Sequence, residues 1–187
     1  MTNLLNVLKE MEQNTNGIKN DVISFIIENS DNSEDTQNTL NDITNYGCQS
    51  GLVNHLIYYK DIVKYYDTHE KEITQIIQDY YNIDLDNLGI DQIDELADLL
   101  DTESFYDRLE STENYEKATQ TIADNEGLTI DEIEDNEEYE EYILDERYYL
   151  ATELNIQDKN KLTWLAFELV TNELYSELDN IGLIENF

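Results

Sequence analysis

The sequence has no proline, one cysteine and six glycines among its 187 residues. Without proline, no residue breaks a helix from within, and the turns depend on Gly, Asn and Asp. A single cysteine excludes an internal disulfide framework and fits a reducing compartment. We therefore expect uninterrupted helices joined by short polar breaks, in a fold held together by its apolar core.

Long apolar runs and basic residues are also scarce. No segment approaches the ~20 apolar residues of a membrane span, and the N-terminus lacks the charged start and apolar core of a signal peptide. The chain has ten Lys and Arg residues and 44 Asp and Glu residues, which gives a net charge of −34. Nucleic acid and anionic membranes repel such a protein, so its expected partners are basic proteins or cations. The sequence predicts a soluble protein of the cytoplasm.

The acids are concentrated between Asp79 and Glu146, where 25 acids and two bases give a net charge of −23. A hydrophobic share of 40% and fourteen tyrosines are unlike a disordered acidic tail. Ordinary solvated faces mix both signs, and adaptation to high salt spreads acids evenly along a chain. This segment therefore predicts an ordered acidic surface with a basic partner.

Helical spacing orders the first group of acids. Between residues 91 and 101 they recur at steps of three and four, which places them on one face of a helix. These acids are Asp91, Asp94, Glu95, Asp98 and Asp101. The opposite, apolar face carries Ile93, Leu96, Ala97 and Leu100. Four residues of helix rise about 6 Å, comparable to the charge spacing of a nucleic-acid strand, so the carboxylates could occupy a site built for DNA or RNA.

A second acidic helix is predicted around residues 137 to 150. We expect its buried stripe to consist of Tyr139, Tyr142, Ile143, Tyr149 and Leu150. Its solvent side is predicted to carry Glu137, Glu138, Glu141 and Asp145, with the neighbouring acids Asp131, Glu132, Glu134 and Asp135 extending the same partner-binding surface. Leu144 and Tyr148 fall among these acids at 100° per residue, so we predict that both are exposed interface anchors.

The whole pattern predicts a mostly α-helical, compact multi-helix domain spanning residues 1–187, which could be subdivided into residues 1–78 and 79–187. Residues Lys161–Leu178 are apolar around most of the helix circumference, which is typical of a buried helix. We expect this segment to be the central core helix, with the acidic helices outside it and packed against it.

Two capping boxes and one stop signal predict helix ends. Asp67 with Glu70, and Thr129 with Glu132, have the spacing of a capping box at the start of a helix. Gly127 predicts the end of the helix that precedes Thr129.

A calcium loop is the first alternative from another class. Residues 84–89 with Glu95 have the spacing of an EF-hand loop, but Leu88 replaces a ligand and Asp91 replaces the small apolar residue. We interpret the segment as an Asp-rich lead into a helix. A cation-binding regulator remains the alternative that this spacing leaves open.

Catalytic alternatives have weaker support. Cys48, His55 and His69 match no zinc spacing and no nucleophile signature, which leaves a Cys-dependent hydrolase as an alternative only. Paired acids such as Glu137 and Glu138 could serve a glycosidase or nuclease, but those sites need a few convergent carboxylates. No Gly-rich phosphate loop is present. The sequence therefore predicts no catalytic residue, no metal and no cofactor.

Two segments carry a resemblance to a known group of proteins. NYGCQSGLVNHLIYYKDIVKYYDTHEKEI at Asn45–Ile73 and LTWLAFELV at Leu162–Val170 resemble small acidic proteins of bacterial phages and mobile elements. In size and composition the chain is similar to the DNA-mimic inhibitors of bacterial defence, the antirestriction and anti-CRISPR proteins. The resemblance implies a non-catalytic inhibitor of a Cas9-type RNA-guided nuclease that competes with target DNA. A restriction-modification enzyme is the alternative target.

Overall fold

The structure is a computed structural model, and it describes residues 3–46, 62–86, 88, 90–100, 102–154 and 156–184. All regular secondary structure in these ranges is helical, which confirms the prediction of a mostly α protein. None of the helices described in them has the length and hydropathy needed to cross a membrane. Cys48, His55 and Asp101, and much of the Asn45–Ile73 segment, lie outside the described residues.

The chain divides into two compact units. The first unit comprises Met1–Asp86 and Ile156–Phe187, and the acidic unit comprises Asn87–Asn155. The described helices of the first unit are α1 (Leu4–Glu12), α2 (Gly17–Glu28), α3 (Ser33–Tyr46), α4 (Ile62–Tyr81) and α10 (Ile156–Asn180). Those of the acidic unit are α5 (Ile90–Leu100), α6 (Thr102–Glu110), α7 (Thr112–Glu126), α8 (Ile130–Glu134) and α9 (Glu140–Thr152), with a 3₁₀ turn at Glu137–Tyr139.

The C-terminal helix α10 is the core helix of the first unit, as its apolar circumference predicts. It packs against α4, α2 and α3. Its buried apolar residues are Leu162, Ala166, Phe167, Val170, Leu174 and Leu178. The buried Thr163 and Thr171 donate their hydroxyls to the carbonyl oxygens of Lys159 and Phe167, so burial leaves neither hydroxyl unsatisfied.

This packing places the unit boundaries differently from a division at residue 78. The chain returns to the first unit after the acidic segment, because α10 completes the core formed by α2, α3 and α4. The acidic unit is thus an insertion between α4 and α10.

The acidic helices form an apolar core within their own unit. One apolar cluster joins α5, α6 and α9 through Ile93, Ala97, Phe105, Leu109 and Ala151. The other joins α7, α8 and α9 through Ala118, Ile122, Ala123, Ile133 and Ile143. The apolar faces of these short helices are complementary to one another, and burying each side chain contributes about 1–3 kcal/mol.

The predicted capping box at Asp67 is wrong. Helix α4 continues through this position, because Tyr66, Ile73 and Ile77 keep helical spacing and are all buried. The Asp67 carboxylate instead accepts a hydrogen bond from Lys159 Nζ at 2.7 Å. A tertiary contact replaces the predicted local one.

The start of α2 depends on a side chain from α4. The amide of Ile18 donates to Glu72 Oε1 at 2.9 Å, which satisfies one of the unpaired N–H groups of the first turn. Gly17 has φ = +66°, and a Cβ at this position would collide with the Glu72 carboxylate. The backbone conformation therefore favours glycine here, and any larger residue would also displace the Glu72 carboxylate from the Ile18 amide.

Candidate functional site

Helix α5 presents its acids to solvent as the sequence predicts. Ile93, Leu96, Ala97 and Leu100 are buried, and Asp94, Glu95 and Asp98 are exposed. The side chain of Asp91, like Asp101, lies outside the described residues. The alternation of acids and apolar residues at helical spacing identified both faces of this helix correctly.

Helix α8 begins at the predicted capping box. Glu132 Oε2 accepts hydrogen bonds from the amide and hydroxyl of Thr129 at 2.9 and 2.8 Å, and the amide of Glu132 donates to Thr129 Oγ1. The hydrogen bond from the Thr129 amide lowers the pKa of Glu132. Glu132 therefore helps to start the helix while remaining exposed, together with Asp131, Glu134 and Asp135.

Helix α9 differs from its predicted faces. Glu138, Glu141 and Asp145 are exposed, as is Glu137 in the preceding 3₁₀ turn. The predicted buried stripe is only partly correct: Ile143 is buried and Tyr139 and Leu150 are half-buried, but Tyr142 and Tyr149 are 62% and 66% exposed.

Of the two exposed anchors predicted on α9, only one is exposed. Leu144 is exposed, whereas Tyr148 is half-buried and packs against the cluster that contains Phe105 and Ala151. The reason is that α9 contacts α7 on one side and α6 on the other, which widens its buried arc beyond a single stripe. Tyr148 is thus a packing residue, and the prediction that it is an exposed anchor is wrong.

The arginines of the acidic unit are directed at backbone carbonyls. Arg108 on α6 donates from Nε and Nη2 to the carbonyl oxygen of Ala151 on α9, at 3.1 and 2.9 Å. Arg147 on α9 donates in the same way to the carbonyl oxygen of Leu109 on α6, at 3.0 and 2.6 Å. The remaining base, Lys117, pairs with Glu113 on the same helix at 2.8 Å.

The surface charge of the acidic unit is therefore poorly compensated. The unit has twenty-three acids and three bases in sequence, and its two guanidinium groups are engaged with helix ends. The exposed acids predicted as partner-binding are Asp94, Glu95, Asp98, Asp131, Glu132, Glu134, Asp135, Glu137, Glu138, Glu141 and Asp145. Such a surface has a strongly negative potential that favours basic partners.

A cleft of about 360 Å³ lies between α7 and α9 of this unit. Tyr139, Tyr142 and Tyr149 line it together with Glu126, Asp145 and Glu146. The sequence interpretation missed the cleft because it assigned these tyrosines to the buried stripe. The available signal was the seven-residue spacing of Tyr142 and Tyr149, which puts both rings on one face with Glu146 between them.

The alternative sites gain no geometric support within the described residues. There, no group of three or more His, Cys, Asp or Glu is arranged to hold a metal ion. His69 stacks on Tyr65 with ring centroids 4.2 Å apart, and its Nδ1 lies 3.0 Å from the Tyr65 carbonyl oxygen. In the EF-hand-like segment, the Asp86 amide donates to Asp84 Oδ1 at 3.2 Å, a local turn contact.

Fold and surface together define a mostly α-helical protein with an inserted, strongly acidic helical unit. The chain belongs to the family described as a domain of unknown function, DUF7222, whose match covers residues 9–180 and so includes most of both units. No curated protein and no solved structure matches the chain.

Proposed function

We propose that the protein is a non-catalytic inhibitor whose acidic unit occupies the basic nucleic-acid-binding surface of a bacterial defence nuclease. The observation that carries this proposal is the set of exposed carboxylates on α5, α8, α9 and the 3₁₀ turn, in a unit that has twenty-three acids and three bases. The acids are consequently available to cationic groups of another protein.

The chemistry of such a partner fits this surface. Proteins that bind DNA or RNA neutralise phosphates with clustered Lys and Arg, and an ordered carboxylate array can pair with the same groups. The arginine pairs would be bidentate where geometry allows, while the surrounding charges accelerate association. Rigid helices fix the carboxylate positions before binding, which limits the conformational entropy lost on association.

The first target we propose is a Cas9-type RNA-guided nuclease, which the protein would inhibit in the cytoplasm of the bacterial host cell. Its nucleic-acid channel is positively charged, and arginines read a short duplex motif beside the target. The acidic unit would compete with target DNA for these groups. A restriction-modification enzyme is the second target, inhibited by the same electrostatic competition.

The proposal is tested by a competition assay with matched neutralised variants. Glu134→Gln, Glu138→Gln and Glu141→Gln together remove three exposed charges from the acidic unit. Glu10→Gln, Glu28→Gln and Glu34→Gln remove three exposed charges from the first unit and serve as the control. With each contact worth up to about 1 kcal/mol, the first triple variant should inhibit about tenfold more weakly and the control should match the parent protein.

Salt and DNA provide the second readout. Raising the ionic strength should weaken inhibition, because screening shortens the reach of the surface charges. Target DNA and the protein should exclude each other from the nuclease. Equal losses in the two triple variants, or a stable ternary complex of nuclease, DNA and protein, would contradict the proposal.

A further inference from the structure

The cleft between α7 and α9 combines a pocket shape with an aromatic wall. Its volume of about 360 Å³ is within the range of small-ligand sites, which is about 300–1,000 Å³. The Tyr139 and Tyr142 rings are 6.2 Å apart at their centroids and tilted by 51°. Tyr142 and Tyr149 are also the most exposed aromatic side chains among those the structure describes as exposed. Two large rings thus face solvent at the rim of a concave site.

The electrostatics of the cleft are one-sided. Glu126, Asp145 and Glu146 contribute carboxylates, and none of the described side chains that line the cleft is a Lys or Arg. Arg147 neighbours Glu146 in sequence, but its guanidinium binds the carbonyl oxygen of Leu109. The cleft therefore has three acids with no base to neutralise them within its own lining.

The end of α7 adds to this negative potential. Glu126 is the last residue of α7, and Gly127 ends the helix in the left-handed conformation with φ = +69°. The C-terminal end of a helix carries a partial negative charge that stabilises a nearby cation. Rings, carboxylates and the helix end all favour the same kind of ligand.

We propose that this cleft binds an arginine side chain of the basic partner protein. A guanidinium group stacks on tyrosine faces and pairs with carboxylates in a planar, bidentate arrangement, and it is less strongly hydrated than an ammonium group. Lysine offers only a point charge, and a polyamine offers several of them without the planar group. The inference rests on the proposed function for its partner, while the chemistry of the cleft can be tested without that partner.

The direct test is a titration of the full-length protein with blocked Gly-Arg-Gly and Gly-Lys-Gly peptides, followed by the tyrosine ring signals in NMR. The two peptides have the same charge, so general attraction to the acidic surface is matched. Tyr142 and Tyr149 should shift in a saturable manner, with the arginine peptide bound at least about threefold more tightly. Equal affinity for both peptides would overturn the arginine assignment.

Exposed tyrosines of the first unit provide the internal control for this titration. Tyr80 and Tyr81 are 53% and 40% exposed and follow Asp79 on α4. Their ring signals should shift much less than those of Tyr142 and Tyr149. Comparable shifts at both pairs would show unspecific association and overturn the proposed cleft site.

The effect on the partner is tested by removing the rings at constant charge. Tyr142→Ala with Tyr149→Ala retains every carboxylate and should weaken inhibition of the nuclease by about fivefold or more. Tyr142→Phe with Tyr149→Phe retains both aromatic faces and should inhibit within about twofold of the parent protein. Tyr80→Ala with Tyr81→Ala should leave inhibition unchanged. Thermal melts of each variant confirm that the fold is retained.

The outcomes separate this inference from the function on which it rests. If removing the two rings has no effect while the Glu134, Glu138 and Glu141 variant inhibits poorly, the cleft assignment is wrong and the proposed function stands. If the parent protein fails to compete with DNA, the proposed function is wrong. The peptide titration then decides the chemistry of the cleft alone.

Discussion

Arg147 on α9 donates two hydrogen bonds to the carbonyl oxygen of Leu109, the next-to-last residue of α6. Arg108 on α6 likewise donates two hydrogen bonds to the carbonyl oxygen of Ala151, the next-to-last residue of α9. Each guanidinium thus satisfies a carbonyl at the other helix's C-terminal end and complements the partial negative charge there. This reciprocal contact joins α6 to α9.

Replacing Arg147 should destabilise the acidic unit more than replacing its lysine. Hydrogen bonds to a charged group contribute about 1.5–3 kcal/mol, so Arg147→Gln should lower the free energy of unfolding by that amount. Lys117→Gln removes the same charge from an exposed pair with Glu113 and should leave stability nearly unchanged, because water screens such a pair. Urea titration with amide hydrogen exchange in α6 and α9 measures both variants, and equal losses would refute the contact as a source of stability.

Truncating Tyr148 should destabilise the protein much more than truncating Leu144, although both side chains lie on α9. Tyr148→Ala removes a half-buried ring packed against the apolar cluster of α5, α6 and α9, and should destabilise the protein by about 2 kcal/mol, less than the loss of a fully buried aromatic residue. Leu144→Ala shortens a side chain that is 44% exposed and should change stability by less than about 0.5 kcal/mol. Thermal melts of the free variants decide this, and a larger melting shift for Leu144→Ala would contradict the assignment.

The sequence predicts α5 better than α9 for a physical reason. On α5 one face is apolar and the other is acidic, so charge and hydropathy give the same answer at Ile93 and Asp94. Helix α9 has two packed neighbours, and its tyrosines tolerate either burial or solvent. Periodicity alone therefore predicted burial for Tyr149, which is exposed, and exposure for Tyr148, which is half-buried.

Long-range contacts explain the other differences. The Thr129 capping box forms because a glycine stop precedes it, whereas the same spacing at Asp67 lies within a helix whose apolar face continues. The partner of Asp67 is Lys159, ninety-two positions away. The return of α10 to the first unit is equally non-local, and no local pattern indicates it.

Gly17 should tolerate alanine less well than Gly182. Both have positive φ, +66° and +70°, but a Cβ at Gly182 meets open space whereas one at Gly17 collides with Glu72. Gly182→Ala should cost about 1 kcal/mol for the left-handed conformation. Gly17→Ala should cost at least about 1 kcal/mol more, because Glu72 must leave the Ile18 amide that it caps. Similar losses in urea titrations of the two variants would show that the cap contributes little.

Alkaline pH should destabilise the first unit through Tyr66. Its burial, together with the charge of Glu70, raises the pKa of Tyr66 to about 12. An unfolded tyrosine ionises near pH 10, so at higher pH the unfolded state has lost a proton that the folded state retains. Tyr66 therefore contributes its full stability below about pH 10, and this is lost as pH rises toward 12.

The comparison with Tyr66→Phe isolates this contribution. Urea midpoints measured between pH 8 and 12 should fall less steeply in the variant than in the parent protein. Some dependence should remain, because burial and the Asp21 hydrogen bond also raise the pKa of Tyr65. Parallel profiles would exclude Tyr66 as a source of the alkaline loss.

Salt should stabilise the acidic unit while it weakens partner binding. Within residues 87–155 twenty-three acids outnumber three bases, so the acids repel one another. The Debye length falls from about 30 Å at 0.01 M salt to about 3 Å at 1 M, so added salt screens this repulsion. Sodium chloride should therefore raise the urea midpoint of this unit. Amide hydrogen exchange within residues 87–155 measures that midpoint. The only tryptophan, Trp164, lies on α10, so its fluorescence reports separately on the first unit and should respond less.

Binding to a basic partner should weaken over the same salt range, because screening there removes attraction instead of repulsion. A unit that loses stability with added salt would show that its acids are held by internal ion pairs, contrary to the uncompensated surface described above.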